Sequence, residues 1–232
     1  MKPLCVIPAR GGSRRFLRKN LALLRGKPLL GYAIEAARDA GVFDRVVVST
    51  DDAEIVMVAE AFGAEVPFRR PAELASDTAT GVDVCLHALE ELERSGSRYE
   101  VFGYLLPTAP LRTVDDVRNA YRLLVERGAD FVMSVTSYAI SPFWALEERD
   151  GFLRPRWGRE YLVKRQELPD VCVDNGAVYF ARVEAFRRER TFYGDRLVGY
   201  RMPLERSVDV DEPIDLALAE FLLARSTKEA EA

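Results

Sequence analysis

Leu4-Cys5-Val6-Ile7-Pro8-Ala9-Arg10-Gly11-Gly12-Ser13 is the stretch on which the reading of the fold turns. Successive apolar residues closed by a proline read as a strand covered on both faces, because a half-exposed strand would alternate. The small residues and cations that follow cannot continue it and form a loop over 9–20. The period then changes. Residues 28–40 carry apolar side chains at helical spacing, 45–49 are a valine-rich strand, and 52–62 are helical with Gly63 as the stop. Further on, 80–94 and 114–127 read as helices, 101–106, 131–135 and 176–180 as strands, and 214–224 as a closing helix. This alternation predicts an α/β fold with a mostly parallel sheet and helices on both faces. Ligands of such sheets bind at the carboxyl ends of the strands.

Residues 137–169 break the rhythm with Trp144, Trp157 and scattered Arg, Glu and Pro. They read either as an extension or dimerisation arm, or as an ordinary surface excursion. Residues 226–232 read as a frayed polar tail.

The bulk composition narrows the function classes. The 232 residues are 48% hydrophobic, enough to bury a sizeable core, and carry a formal charge of −4. A negative chain argues against a nucleic-acid coat. No apolar run reaches the ~20 residues that cross a bilayer. Residues 1–9 are too short for a signal peptide, so a soluble cytoplasmic protein is expected. Cys5, Cys85 and Cys172 lack the paired spacing of a zinc site and are expected as three buried thiols in a reducing compartment.

Four segments carry the chemistry. The loop after the first strand gathers Arg10, Arg14, Arg15, Arg18 and Lys19 among small residues. Guanidinium groups grip phosphate in pairs of bonds, lysine acts as a compact charge, and successive backbone N–H groups cradle anions. A polyphosphate fits such a loop; a solvated basic loop is the plainer alternative. Neither the dinucleotide G-x-G-x-x-G nor the P-loop spacing is present. The second segment, Ser76-Asp77-Thr78-Ala79-Thr80, has helix-capping types and also suits a ligand rich in acceptors. In the third, Leu106-Pro107-Thr108-Ala109-Pro110-Leu111-Arg112-Thr113, two prolines force an extended turn. Arg112 is expected to pair with Asp115 or Asp116 rather than serve a ligand carboxylate. The fourth is Ser207-Val208-Asp209-Val210-Asp211. Carboxylates two apart in an extended segment face one side and need a cation, for which Mg²⁺ is the natural partner. The alternative is two strand-end acids capping the helix near Pro213. His87 is the sole histidine, flanked by Leu86 and Leu89, so histidine-based catalysis is not expected. Cations, a metal and positioning are the style of phosphoryl and nucleotidyl transfer.

Taken in order, these segments resemble the CMP-sialic acid synthetase (acylneuraminate cytidylyltransferase) family from about residue 3 to residue 223. Ile7-Pro8-Ala9-Arg10-Gly11-Gly12-Ser13 followed by Lys19-Asn20 is similar to the family's opening motif. Val48-Ser49-Thr50-Asp51-Asp52, Arg70-Pro71-Ala72-Glu73-Leu74-Ala75-Ser76-Asp77-Thr78-Ala79, the Pro107 to Thr113 segment, Arg165-Gln166-Glu167-Leu168-Pro169, Asn175-Gly176-Ala177 and the Ser207 to Asp211 segment complete the likeness. The resemblance implies a three-layer αβα sandwich with a Rossmann-like sheet over residues 1–225, including a dimerisation extension at about 137–171. It also implies an enzyme that joins CTP to a nine-carbon acidic sugar, releasing pyrophosphate as the sugar's anomeric hydroxyl attacks the α-phosphate. On the matching positions, Arg10, Ser13 and Lys19 would hold the triphosphate, and Asn20, Arg70 and Ala79, Thr80 and Gly81 would surround the cytidine. Asp209 and Asp211 would carry Mg²⁺, and Arg165 would reach a partner subunit's site in a homodimer. Pro8, Ala9, Arg14, Leu106, Thr108 and Asn175 complete the expected substrate-binding set.

The departures are informative. Arg14-Arg15 stand for the usual Lys-Gly and Leu17 for a common proline. Leu106 replaces a glutamine near the sugar, and Val173 an arginine two residues before Asn175. The last two fall on the sugar side, so a less polar wall suited to a di-N-acylated deoxy sugar such as legionaminic or pseudaminic acid is expected. A CMP-Kdo synthetase, acting on an eight-carbon sugar, and a non-catalytic nucleotide-binding regulator are the alternatives.

Overall fold

The computed structural model describes residues 3–13 and 15–230, with side chains omitted for 227–230; Arg14, one of the expected binding residues, lies outside the described residues. The chain runs β1 (Leu4–Pro8), a small pair β2 (Leu23–Leu24) and β3 (Lys27–Pro28), α1 (Leu29–Ala40), β4 (Arg45–Ser49), α2 (Ala53–Ala61) and α3 (Gly81–Arg94). It continues with β5 (Val101–Tyr104), α4 (Val114–Glu126), β6 (Phe131–Ser137), the hairpin β7 (Leu146–Arg149) and β8 (Phe152–Pro155), and β9 (Cys172–Arg182). The last elements are α5 (Val183–Glu189), β10 (Leu197–Arg201) and α6 (Pro213–Ala230).

Six strands form one sheet in the order β10-β6-β9-β5-β1-β4. β1 runs parallel to β4 and β5, and β6 parallel to β10; β9 is inserted antiparallel between β5 and β6. The sheet is therefore mostly parallel. The alternation of β1 shows how it is covered. Cys5 and Ile7 point into a core with Leu30 and Ile34 of α1, Ile55 of α2 and Val117 of α4. Leu4 and Val6 point the other way, into a core with Leu86 and Leu89 of α3 and Phe186 of α5. Both faces are dry, which is why the sequence reads as a continuous apolar run. A smaller core under α6 joins Leu24, Leu29, Leu111, Val210 and Ala219.

Thr80 and Thr113 start the two helices that flank the ligand end of the sheet. Each side chain accepts from the backbone N–H three residues on, while Asp83 and Asp116 reach back to the cap N–H, a reciprocal pair of bonds that fixes where each helix begins.

Several expectations are corrected. β9 is longer than the predicted 176–180, because its first half is polar and bulged. The register slips between Met133 and Val135 of β6, where Ser134 Oγ meets Asn175 Oδ1 at 2.6 Å and accepts Val178 N–H at 2.7 Å. Gly176 sits in this bulge at φ +69°, and a Cβ there would lie 3.3 Å from Leu106 Cδ1. The closing helix continues to Ala230, so 226–230 are helical rather than frayed; Lys228, Glu229 and Ala230 are good helix formers. Cys5 and Cys85 are buried, but Cys172 is exposed, since it stands where the chain re-enters the sheet. Residues 137–169 contain the β7–β8 hairpin and short 3-10 turns.

Candidate active site

The site lies at the carboxyl ends of β1, β4 and β5. β9 runs the other way, so its opening residues meet the same end: Tyr104 pairs with Tyr179, and Val135 with Asp174. A cavity of about 550 Å³ opens there, lined by Pro8, Arg10, Ser13, Lys19, Asn20, Arg70, Ala79, Thr80, Gly81, Leu106, Thr108 and Asp211. Those expected residues, from four separate segments, are thus brought together. Ala9 is fully buried beneath the loop and does not line the cavity.

The loop after β1 is held open by specific bonds. Asn20 is buried and its Nδ2 donates to the Arg10 carbonyl at 2.9 Å, closing the loop on itself. Gly11 N–H donates to Asp51 Oδ1 at 3.0 Å, and a Cβ on Gly11 would fall 2.6 Å from Asp52 Oδ2. Only glycine allows that approach. Arg10 reaches the turn before α3, donating to the Ser76 carbonyl at 2.9 Å and pairing with Asp77 at 3.0 Å. Lys19 and Arg15 each pair with Asp211 at 2.7 Å. The Lys19 ammonium, by hydrogen bond and charge, holds the Asp211 carboxyl below its ordinary value.

Arg70 is 4% exposed; its Nε donates to Ser49 Oγ at 3.1 Å and its Nη2 to the Ser49 carbonyl. Burial lowers its guanidinium from the ordinary value. Tyr104, beside Gly81, lines the cavity, and burial pushes its phenol up.

A second cavity, about 470 Å³, adjoins the first across Leu106, which lines both. Its wall includes Val173, Asp174, Asn175, Gly176, Tyr179, Ser207 and Asp209. Leu106 and Val173, the two departures noted in the sequence, therefore share one wall. Asp209 and Asp211 open onto these two different cavities, rather than onto one side of a strand. The segment is not extended β structure, so strict alternation does not apply. They remain close enough to interact: burial, together with the Asp211 charge, raises the Asp209 carboxyl, against a lowering bond from Thr108.

The expected pairing of Arg112 with Asp115 or Asp116 does not form. Asp116 is bound by Arg206 at 2.7 Å, and Asp115 meets Arg118 at 3.4 Å. Arg112, 5% exposed, instead donates through Nη2 to the Leu106 carbonyl and so fastens the turn between the two cavities. Arg165 stands in the extension and donates to the carbonyls of Tyr138 and Ala139 at 2.5 and 2.8 Å. It does not line the first cavity.

Sequence reasoning missed Phe16 and Tyr104 on the first cavity and Tyr138, Asp174 and Tyr179 on the second. Asp174 and Tyr179 reach the site only because β9 is antiparallel, and no local signal records a strand's direction.

Comparison with known proteins agrees with this geometry. Over 225 residues the chain is 34% identical to the pseudaminic acid cytidylyltransferase of Campylobacter jejuni, covering 96% of each chain. It is 31% identical over 226 residues to the CMP-N,N'-diacetyllegionaminic acid synthase of Legionella pneumophila, covering 96% of this chain and 97% of that one. The N-acylneuraminate cytidylyltransferase of Streptococcus agalactiae is 33% identical over 91% of this chain, which spans 51% of that protein. A CMP:2-keto-3-deoxy-manno-octonic acid synthetase structure with CTP superposes with a TM-score of 0.71 at 16% identity, over 97% of this chain and 100% of that one, a likeness of fold. The cytidylyltransferase family model matches residues 4–135, which hold β1, its cationic loop and the turn after β5. With that match beside the Campylobacter and Legionella relatives, similar along nearly their whole length, the chain belongs to the cytidylyltransferase family, whose members are CTP-dependent nucleotidyltransferases.

Proposed function

We propose that this protein joins CTP to a nine-carbon acidic sugar of the pseudaminic, legionaminic or sialic type, giving the CMP-sugar and pyrophosphate. The observation that carries the reading is the pair of adjoining cavities. One is lined by Arg10, Arg15, Lys19 and Arg70; the other has no lysine, arginine or histidine on its wall among the described residues. The first suits a triphosphate and the second the hydroxyl-bearing part of a sugar. Relatives similar to the chain are named for sugars of this class.

In the proposed reaction, Arg10, Ser13 and Lys19 hold the triphosphate, and Asn20, Arg70 and Ala79 to Gly81 surround the cytidine. The cations neutralise charge developing on the leaving pyrophosphate, while the shared wall at Leu106 aligns the sugar hydroxyl with the α-phosphate. Thr108, beside that wall, binds Asp209, and its carbonyl accepts Val210 N–H at 2.7 Å.

Mg²⁺ is the expected metal, and the donor set fits it. Asp209 and Asp211 are close enough for each to feel the other's charge, and hard oxygen donors in pairs, completed by phosphate and water, are what Mg²⁺ takes. Asp209 and Asp211 would hold it; when bound it would neutralise phosphate charge. A homodimer and a cytoplasmic location complete the reading. The dimer is supported by the exposed apolar side chains of the extension, and the location by three unpaired cysteines.

The test is pyrophosphate release with CTP and Mg²⁺ against N-acetylneuraminate, legionaminate, pseudaminate, Kdn and Kdo. Turnover of one nonulosonate is expected, with a diacylated sugar preferred because Leu106 and Val173 make the wall less polar. Preference for Kdo, or equal turnover of N-acetylneuraminate and the diacylated sugars, would count against it.

A further inference from the structure

Arg112 is a buried cation with no ion pair among the described residues. It is 5% exposed, and the acids nearest in sequence are held by others, Asp115 by Arg118 and Asp116 by Arg206. Its Nη2 donates to the Leu106 carbonyl, but Nε and Nη1 are closed off from water and have no partner among the described residues. Burial lowers the guanidinium to about 10, so it still carries its charge at neutral pH. Taking a guanidinium out of water without a counterion costs stability, and two donors left unmade add to that cost. An apolar side chain filling the same space would carry neither. The fold by itself therefore gives no reason for an arginine here.

The one bond that Arg112 makes supplies the reason. Its acceptor is the carbonyl of Leu106, the residue whose side chain lines both cavities. The turn that follows is poor in backbone donors, since Pro107 and Pro110 have no N–H. The backbone bond across its head, from Ala109 N–H to the same carbonyl, is long at 3.4 Å. A bond from a charged donor holds such a turn more firmly than that. Two residues on, Thr108 binds Asp209 through its side chain and accepts Val210 N–H on its carbonyl at 2.7 Å. The places of Leu106 and of Asp209 thus both depend on this turn. Arg112 itself lines neither cavity, so it acts through the turn and not on a ligand.

We propose that Arg112 is a positioning residue for the transfer step. It fixes the turn over 106–108, and with it Leu106 and Asp209, at the junction where the two substrates meet. The arginine is retained for that alignment at the expense of stability. This inference rests on the assignment of the two cavities to CTP and the sugar.

The experiment compares wild type, Arg112→Met and Arg112→Lys by pyrophosphate release over the sugar panel, by calorimetric binding of CTP and by thermal unfolding. Arg112→Met removes the buried charge and its unmade bonds, while the Leu106 carbonyl keeps the Ala109 N–H. Its unfolding temperature holds or rises. Its CTP affinity is unchanged, because Arg10, Arg15 and Lys19 stand on the separate loop after β1. Its kcat falls about ten- to a hundredfold, as for misplaced reacting groups. Arg112→Lys, whose ammonium donates to the same carbonyl, recovers most of that loss. Wild-type kcat in Arg112→Met overturns the role. So does a loss of stability and CTP affinity in parallel with activity, which marks a bond that serves the fold alone, and so does an Arg112→Lys protein no better than Arg112→Met. Each of these leaves the cytidylyltransferase reading intact, because the wild type is active. A wild type that binds CTP but is silent on every sugar overturns both.

Discussion

Lys19 Nζ lies 2.7 Å from Asp211 Oδ1, across 192 positions of sequence. The bond ties the loop after the first strand to the segment before the last helix, and Arg15 joins it on Asp211 Oδ2 at 2.7 Å. The single Asp211 carboxylate offsets only one of these two cations, so the cluster keeps a net positive charge, as the proposed triphosphate site requires.

The consequence for mutation follows directly. Lys19→Ala removes a cation from the first cavity but leaves Asp211 paired with Arg15. Activity falls about a hundredfold or more in kcat/KM for CTP, as for loss of a preorganised charge at a reacting phosphate, while stability changes by less than ~1 kcal/mol because the pair is partly exposed. Steady-state kinetics and thermal unfolding on the same preparation check this. Near-normal kcat/KM would remove Lys19 from the site.

Asp116 and Arg206 make the pair with a pH signature. Asp116 is 1% exposed and bonded by Arg206 at 2.7 Å and by the Thr113 hydroxyl at 2.8 Å. Burial alone would raise this carboxyl, but Arg206 and Thr113 together hold it below its ordinary value. A carboxyl lowered on folding contributes stability above its unfolded value of about 3.9, and that contribution is lost as pH falls through the folded value. Arg206→Met should cost about 2 kcal/mol at pH 7, discounted for the exposed side of Arg206, with the deficit shrinking below about pH 4. Denaturant titrations of both proteins at pH 7 and pH 3.5 measure it. A deficit of equal size at both values would mean lost packing rather than lost charge.

How much of this was legible in the sequence depends on whether the signal is local. β1 and its loop were readable because burial on both faces leaves no alternation. The helices α3 and α4 were readable from their helical spacing, and the structure adds the reciprocal caps of Thr80 with Asp83 and Thr113 with Asp116 that fix where they begin. The pairing of Arg112 was misjudged by nearness in sequence; Asp116 took Arg206, 90 positions away, and Arg112 turned to the Leu106 carbonyl. The polar half of β9 was missed because its side chains serve the site and a bulge, not a core. Its antiparallel insertion, which delivers Asp174, Asn175 and Tyr179, is a property of the sheet. The resemblance to a family supplied roles for Arg10, Lys19, Asp209 and Asp211 that spacing alone left open.

Gly176 offers a test of the boundary between the two cavities. At φ +69° an alanine is strained by about 1 kcal/mol, and its methyl would press on Leu106 Cδ1 from 3.3 Å and approach Asp209 Oδ2 at 3.7 Å. If the sugar takes the second cavity and CTP the first, Gly176→Ala should raise the KM for the sugar and lower kcat while CTP binding holds. Weakened CTP binding of the same size as the sugar effect would show that the two cavities do not act separately.

The extension exposes Ile140, Leu146, Phe152, Leu153 and Leu162, each more than half accessible. Three of them, Leu146, Phe152 and Leu153, stand on the β7–β8 hairpin, and apolar side chains so exposed suit a covered surface better than a wet one. If a second copy covers it, the protein has twice the 26.1 kDa mass of the chain in solution. Replacing Phe152 and Leu153 by aspartate would halve that mass without unfolding the sheet, since neither residue belongs to its cores. Light scattering at micromolar concentration reads the mass directly, and circular dichroism the fold. The catalytic consequence separates two roles for the arm. If the partner's arm completes the site, the separated protein binds CTP normally but loses sugar turnover, and mixing it with an Arg165→Ala protein that still dimerises restores none. If the separated protein keeps full turnover, the arm serves assembly alone. A wild type that already runs at the mass of one chain sets the dimer aside.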